Sequence, residues 1–211
     1  MLEPLLTYDR FTPPIEYRNG VDPNDQRVKR RVQLIEQVPD QIQQIIANNG
    51  GYIVFFNGRI TDQKEFEHKR GKAARNHAQG TWDDLPGGHN PSMKAVLIGI
   101  EGNYPYGQSE NDALHEYGHG FDDGIGKRLL GVSLSDTFTV LETVAKAARI
   151  PNPYNLHPRE FAAYAVTQYY KSRADRMTFE TSFPKMAKLL RAMEYEASML
   201  FMSYFPEKHS S

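Results

Sequence analysis

Cysteine is missing from all 211 residues of the chain. That one absence removes disulfide scaffolds, thiol nucleophiles, thiolate-held zinc and iron–sulfur clusters, so any metal must be held by histidine and carboxylates. An excess of either charge is missing too: 25 Lys plus Arg stand against 26 Asp plus Glu, a formal net charge of -1. Neither a nucleic-acid footprint nor an acidic solvating tail shows in that balance. The one dense basic run, Arg27-Val28-Lys29-Arg30-Arg31, carries Val28, Val32 and Ile35 at helical spacing and reads as the wet face of a helix; no nucleic-acid partner is expected. Uninterrupted apolar stretches such as Tyr52 to Phe56 and Ala95 to Ile98 fall far below the roughly 20 residues that span a bilayer, so no membrane partner is expected either. The opening Met1-Leu2-Glu3-Pro4-Leu5-Leu6 lacks the basic and apolar regions of a signal peptide, which leaves two alternatives: the chain is not exported, or its leader is already gone.

A chain of this length fits one domain with a sizeable core. Residues 1–24 carry Pro4, Pro13, Pro14, Gly20 and Pro23 and suit an extended arm, followed by a single domain over residues 25–211. Apolar residues keep a helical period from Val28 to Ile46, with Pro39 breaking or restarting the helix. Tyr52 to Phe56 reads as a strand, 61–70 as helical, 71–91 as a structured loop and 94–100 as a second strand. The rest is helical: Leu114 to Leu129, a segment capped at Ser135 and running to Ala148, Pro158 to Tyr170, and Pro184 to Phe205. The expected class is α+β, a small twisted sheet packed against a mainly helical lobe that carries the chemistry.

His115-Glu116-Tyr117-Gly118-His119 is an HExxH match inside a predicted helix. Residues four apart share a helix face at about 5 to 6 Å between Cβ atoms, so both imidazoles can reach one ion. Composition alone gives about 0.015 expected matches in a chain of this length, which argues against coincidence. Zinc suits such a pair because it takes neutral imidazole nitrogen in tetrahedral geometry and, with a third protein ligand, leaves one position open for water. Glu116 follows the first ligand directly and can take that water's proton without occupying the metal. The extended three-histidine pattern is excluded by Asp122 and Ile125, so the third ligand comes from elsewhere; Glu160 and Glu142, each on a following helix, are the candidates. Asp122 and Asp123, one turn after the motif, could accept the free N–H of a ligating imidazole and fix its tautomer. Tyr154, His157, Tyr164 and Tyr169 are available as donors to an oxyanion.

Four segments together resemble a known family. Asn57 to Phe66, Gly80-Thr81-Trp82-Asp83-Asp84-Leu85-Pro86-Gly87, the run from Leu97-Ile98-Gly99 into Leu114 to Asp123, and Pro158-Arg159-Glu160-Phe161-Ala162 stand in the order found in zinc peptidases related to the anthrax toxin lethal factor catalytic domain. The likeness is stronger to the secreted Pro-Pro endopeptidases of Gram-positive bacteria, and it covers about residues 45–190. The resemblance implies one zinc held by His115, His119 and Glu160, with Glu116 as general base. It implies a strand at 94–100, with Leu97, Ile98 and Gly99, as the edge on which an extended substrate pairs. Trp82 would wall the pocket for the proline after the scissile bond, plain core packing being the alternative for the only tryptophan. A tyrosine ahead of the Glu160 helix would meet the oxyanion. The family position holds Pro153 here, with Tyr154 beside it, while Tyr164, four after the ligand, alters the surroundings of the metal and offers a rival donor. Arg159 stands where the Pro-Pro enzymes often carry an acidic residue, and Gly80 where a basic one can stand. The implied protein is a monomeric, extracellular zinc endopeptidase acting on proline-containing peptides. Its rivals are a lethal-factor-like peptidase without a Pro-Pro preference and a zinc-stabilised peptide-binding module without turnover.

Overall fold

The computed structural model describes residues 12–74, 80–105, 109, 111–147 and 157–204, and the side chains of 145–147 and 202–204 lie outside the described set. A four-stranded sheet in the order β1-β2-β4-β3 joins Ile15–Arg18 (β1), Tyr52–Asn57 (β2), Gly87–Asn90 (β3) and Ala95–Glu101 (β4). β1 and β2 run parallel, as do β2 and β4, whereas β3 is antiparallel to β4. The helices are Gln26–Ile35 (α1), Asp40–Asn48 (α2), Asn111–Phe121 (α3), Lys127–Leu130 (α4), Phe138–Ala147 (α5), Pro158–Tyr170 (α6), Arg173–Ser182 (α7) and Pro184–Tyr204 (α8). The α+β class stands.

Side-chain alternation divides the sheet into two faces. Ile53, Phe55, Val96, Ile98 and Ile100 join the main core with Leu114, Tyr117 and Phe121 of α3 and Phe161, Ala165 and Val166 of α6. Val54, Phe56, Ala95 and Leu97 point the other way, into a smaller cluster with Ile60 and Phe66 against which Trp82 and Leu85 pack. Among the described residues no helix is long and apolar enough to cross a membrane.

Several expectations change. The segment set apart as an N-terminal arm supplies β1, whose Ile15 pairs with Ile53 and Arg18 with Phe56, so it is part of the sheet. Its proline-flanked backbone is extended, as read, but hydrogen bonds from β2 make it a strand. Over 61–70 the chain forms only short 3-10 turns, Ile60–Asp62 and Glu67–Lys69, because Phe66 and Ile60 both turn into the smaller cluster. The strand at 94–100 is interior: β2 flanks it on one side and β3 on the other. The loop at 71–91 hides β3, and Arg173–Ser182 is a helix of its own, started by Ser172, whose Oγ accepts from Asp175 N–H.

Candidate active site

Ser109 and Asp112 exchange hydrogen bonds where α3 begins, with Ser109 N–H donating to Asp112 Oδ2 at 2.6 Å. One face of α3, Ala113, Leu114, Tyr117, Gly118 and Phe121, is buried. His115, Glu116 and His119 therefore lie along its margin, with 20% and 12% of the two histidine side chains exposed. Helix α6 begins with His157 as cap, its Nδ1 accepting from Arg159 N–H at 3.3 Å, and Pro158 in the first turn, where a missing N–H costs nothing. The two helices approach closely because both are small at the crossing: a Cβ on Gly118 would lie 2.9 Å from Ala163 Cα and from the Ala163 carbonyl oxygen.

That crossing delivers Glu160 to the imidazoles. Its Oε2 is 3.2 Å from His115 Nε2 and 3.6 Å from His119 Nε2, and the ligand atoms of the three residues all lie within 4.8 Å of one another. The two rings meet edge to face with centroids 4.9 Å apart. Tetrahedral ligands about 2.0 to 2.1 Å from a zinc stand about 3.3 to 3.4 Å from each other, so the two Glu160 distances match such an ion, and the 4.8 Å limit on the set leaves the donors to draw together around it. Glu142 is elsewhere, paired with Lys185 Nζ at 2.8 Å.

The two glutamates sit in opposite electrostatic settings. Burial raises the Glu116 carboxyl above its usual range, against the pull of both imidazoles. Burial also pushes Glu160 upward, but its hydrogen bonds to His115 and His119 win, and the net shift is well downward. Burial lowers His119, and the Glu160 and Glu116 carboxylates more than reverse that. A carboxyl disposed to hold a proton thus stands beside one disposed to stay ionised, the division that separates an acid–base group from a ligand.

Strand β3 passes over this group. A Cβ on Gly87 would come within 2.9 Å of Glu116 Cγ, so only glycine lets the strand lie against that carboxylate. Gly99 N–H donates to the Pro86 carbonyl at 2.6 Å, which sets the alternation: Gly88 spends its backbone groups on β4, while Gly87 and His89 aim theirs away from it. Among the described residues no strand covers that outer edge.

This arrangement can be compared with known proteins. The family model for anthrax toxin lethal factor, N- and C-terminal domain, matches residues 18–193. The chain belongs to that family. It is 29% identical over 167 residues to a Pro-Pro endopeptidase of Paenibacillus alvei, covering 74% of each chain. To a Pro-Pro endopeptidase of Clostridioides difficile it is 27% identical over 151 residues, covering 69% of this chain and 66% of that one. The solved structure of the Pro-Pro endopeptidase from Paenibacillus alvei superposes with a TM-score of 0.65 at 22% identity, over 88% of this chain and 96% of that one, and the fold is shared.

His115, His119 and Glu160 meet, with Glu116 next to them. Leu97, Ile98 and Gly99 do not form a free edge; their strand is covered by β3, because a Gly-Gly-His-Asn segment without apolar alternation nonetheless pairs along it. Asp122 does not receive an imidazole N–H. Its buried carboxylate accepts from Ser135 N–H at 2.7 Å and Ser135 Oγ at 2.9 Å, holding the turn that precedes α5. Tyr164 lies one turn along α6 from Glu160, its ring against Phe161, and burial with the nearby Asp175 charge raises its hydroxyl pKa. Trp82 is half-buried, stacked on Phe66 at 5.2 Å with Lys69 Nζ 5.6 Å from its ring centre. Tyr154 and Pro153 lie outside the described residues. Sequence reading missed Gly87 and His89; the signal open to it was a Gly-Gly pair directly after the Trp-Asp-Asp-Leu-Pro run.

Proposed function

We propose that this protein is a zinc-dependent endopeptidase that hydrolyses extended peptides at or next to Pro-Pro bonds. The carrying observation is the convergence of His115, His119 and Glu160, with Glu116 beside them and the free edge of β3 directly above. The names of the relatives support the Pro-Pro part. A zinc ion held by the two imidazoles and Glu160 would supply a Lewis acid and ease the ionisation of water near neutral pH.

The protein's own groups do the rest. The outward backbone of Gly87 and His89 pairs with an extended peptide and lays its scissile carbonyl over Glu116. Glu116 takes a proton from the attacking water as its oxygen bonds to the carbonyl carbon. It then gives that proton to the leaving nitrogen as the C–N bond breaks. A proline nitrogen carries no hydrogen in the peptide and leaves as a secondary amine only when it receives one, so a carboxyl with a raised pKa suits this leaving group. Tyr154 is assigned to meet the oxyanion, and the half-buried Trp82 to wall the proline pocket. Proline also arrives pre-extended, so a rigid edge loses less entropy in ordering it.

The test is mass spectrometry of a peptide library, half with a central Pro-Pro and half without, after incubation with the zinc-loaded protein and with Glu116→Ala as blank. Cleavage between or beside the prolines is expected. Cleavage confined to the other half would overturn the proline preference, and bound zinc with no cleavage in either half would reduce the protein to a peptide-binding module.

A further inference from the structure

Arg159 immediately precedes Glu160, and its guanidinium reaches back across the helix crossing. Nη2 donates to Asp123 Oδ2 at 2.8 Å, and Nε stands 3.8 Å from Asp122 Oδ2. These aspartates open the π-helical turn Asp122–Gly126 that directly follows the histidine helix. Asp123 is held from other sides as well: Lys127 Nζ lies 3.3 Å from Oδ1 and Ser133 Oγ donates to the same oxygen at 3.4 Å. From strand β3, His89 places Nδ1 3.5 Å from Oδ2, the oxygen that Arg159 uses. The His89 side chain is 4% exposed, and its ring lies 3.9 Å from where a Cβ of Gly120, the neighbour of His119, would be. Arg159 is the residue that donates to this oxygen; buried His89 stands beside it as a neutral ring whose Nδ1 makes no hydrogen bond.

This cluster touches none of the reacting groups and lies one residue from Glu160 and four from His119. Glu160 must hold one oxygen between two imidazoles on another helix, and the first turn of α6 is capped by His157. The Arg159–Asp123 contact adds a lateral tie at the adjacent residue.

We propose that Arg159, acting through Asp123, is a positioning residue that sets Glu160 at ligand distance from His115 and His119. The proposal rests on the reading of His115, His119 and Glu160 as metal ligands. Arg159 is 41% exposed at its side chain, so its replacement leaves no buried hole.

The test measures zinc dissociation constants by chelator competition, and the absorption spectrum of the cobalt-loaded protein, for wild type, Arg159→Ala, Asp123→Asn, the double variant, and Glu160→Ala. Arg159→Ala and Asp123→Asn are each expected to weaken zinc about 10- to 100-fold, as loss of a group that orients a ligand does, and to alter the cobalt spectrum. The double variant should be no weaker than the worse single one, because the two residues act as a pair. A merely structural role would lower the melting temperature and leave zinc affinity and the cobalt spectrum unmoved; that result overturns the proposal. If Glu160→Ala loses zinc while Arg159→Ala does not, the positioning role falls and the metal site stands. If Glu160→Ala also binds zinc as wild type does, the metal assignment falls with it.

Discussion

Glu65 illustrates how much of the sheet depends on single buried charges. It is 1% exposed, takes both Arg18 terminal nitrogens at 2.9 and 3.0 Å and the Tyr52 hydroxyl at 2.7 Å, and its carbonyl accepts from Asn90 Nδ2 at 2.6 Å. One residue therefore ties β1, β2 and β3 together. Burial pushes its carboxyl upward, but the Arg18 and Tyr52 hydrogen bonds outweigh that and leave it below the ordinary 4.5. With a folded-state pKa below the unfolded one, its contribution is fully present above about pH 4.5 and is lost as pH falls through the lower folded value. Glu65→Gln should cost about 3 kcal/mol at pH 7, since Arg18 keeps only the exposed Glu16 as partner. Urea melts at pH 7 and pH 3 check it: the gap between wild type and variant should narrow at the lower pH, and an equal gap at both would refute the ion-pair account. No period in the sequence marks Glu65, because a charged residue in a short turn ordinarily faces water.

At the scale of elements, the crossing of α3 and α6 is what turns three separate side chains into a site. Its closeness follows from Gly118 against Ala163, where the obstructing atoms are backbone and cannot swing aside. Gly118→Val should push α6 outward, cost about 1 to 3 kcal/mol by overpacking, and weaken zinc binding in the molecules that still fold. Zinc content of the purified variant measures this, and wild-type stoichiometry and affinity would contradict it. Elements with a strong period of their own were legible beforehand: the helix holding His115 and His119, the break at Pro39, and the strands now seen as β2 and β4. Elements that exist through long-range pairing were not. Gly87–Asn90 has no hydrophobic alternation, and Ile15–Arg18 alternates over only four residues within a proline-rich stretch, so each becomes a strand when β4 or β2 lies beside it. The resemblance implied the free edge at Leu97–Gly99, and β3 takes that edge instead.

For the whole molecule, the sheet separates two tasks. Its helix-facing side carries the main core and the candidate metal ligands, while the other side holds the smaller cluster on which Trp82 rests. Strand β3, between them at one border, touches Glu116 from one face and Phe66 and Ile60 from the other. The His115, His119 and Glu160 group was legible because HExxH ties two of its members to a helical repeat and the family resemblance singled out Glu160 over Glu142. The Arg159–Asp123 contact was not, since it joins two elements with no shared spacing. A base that is not a ligand can be lost without losing the metal, so the most direct measurement of the proposed Glu116 role is zinc stoichiometry together with hydrolysis rate in Glu116→Gln. One zinc per chain with hydrolysis reduced about 10²- to 10⁴-fold is predicted; loss of the zinc, or turnover at the wild-type rate, would contradict it.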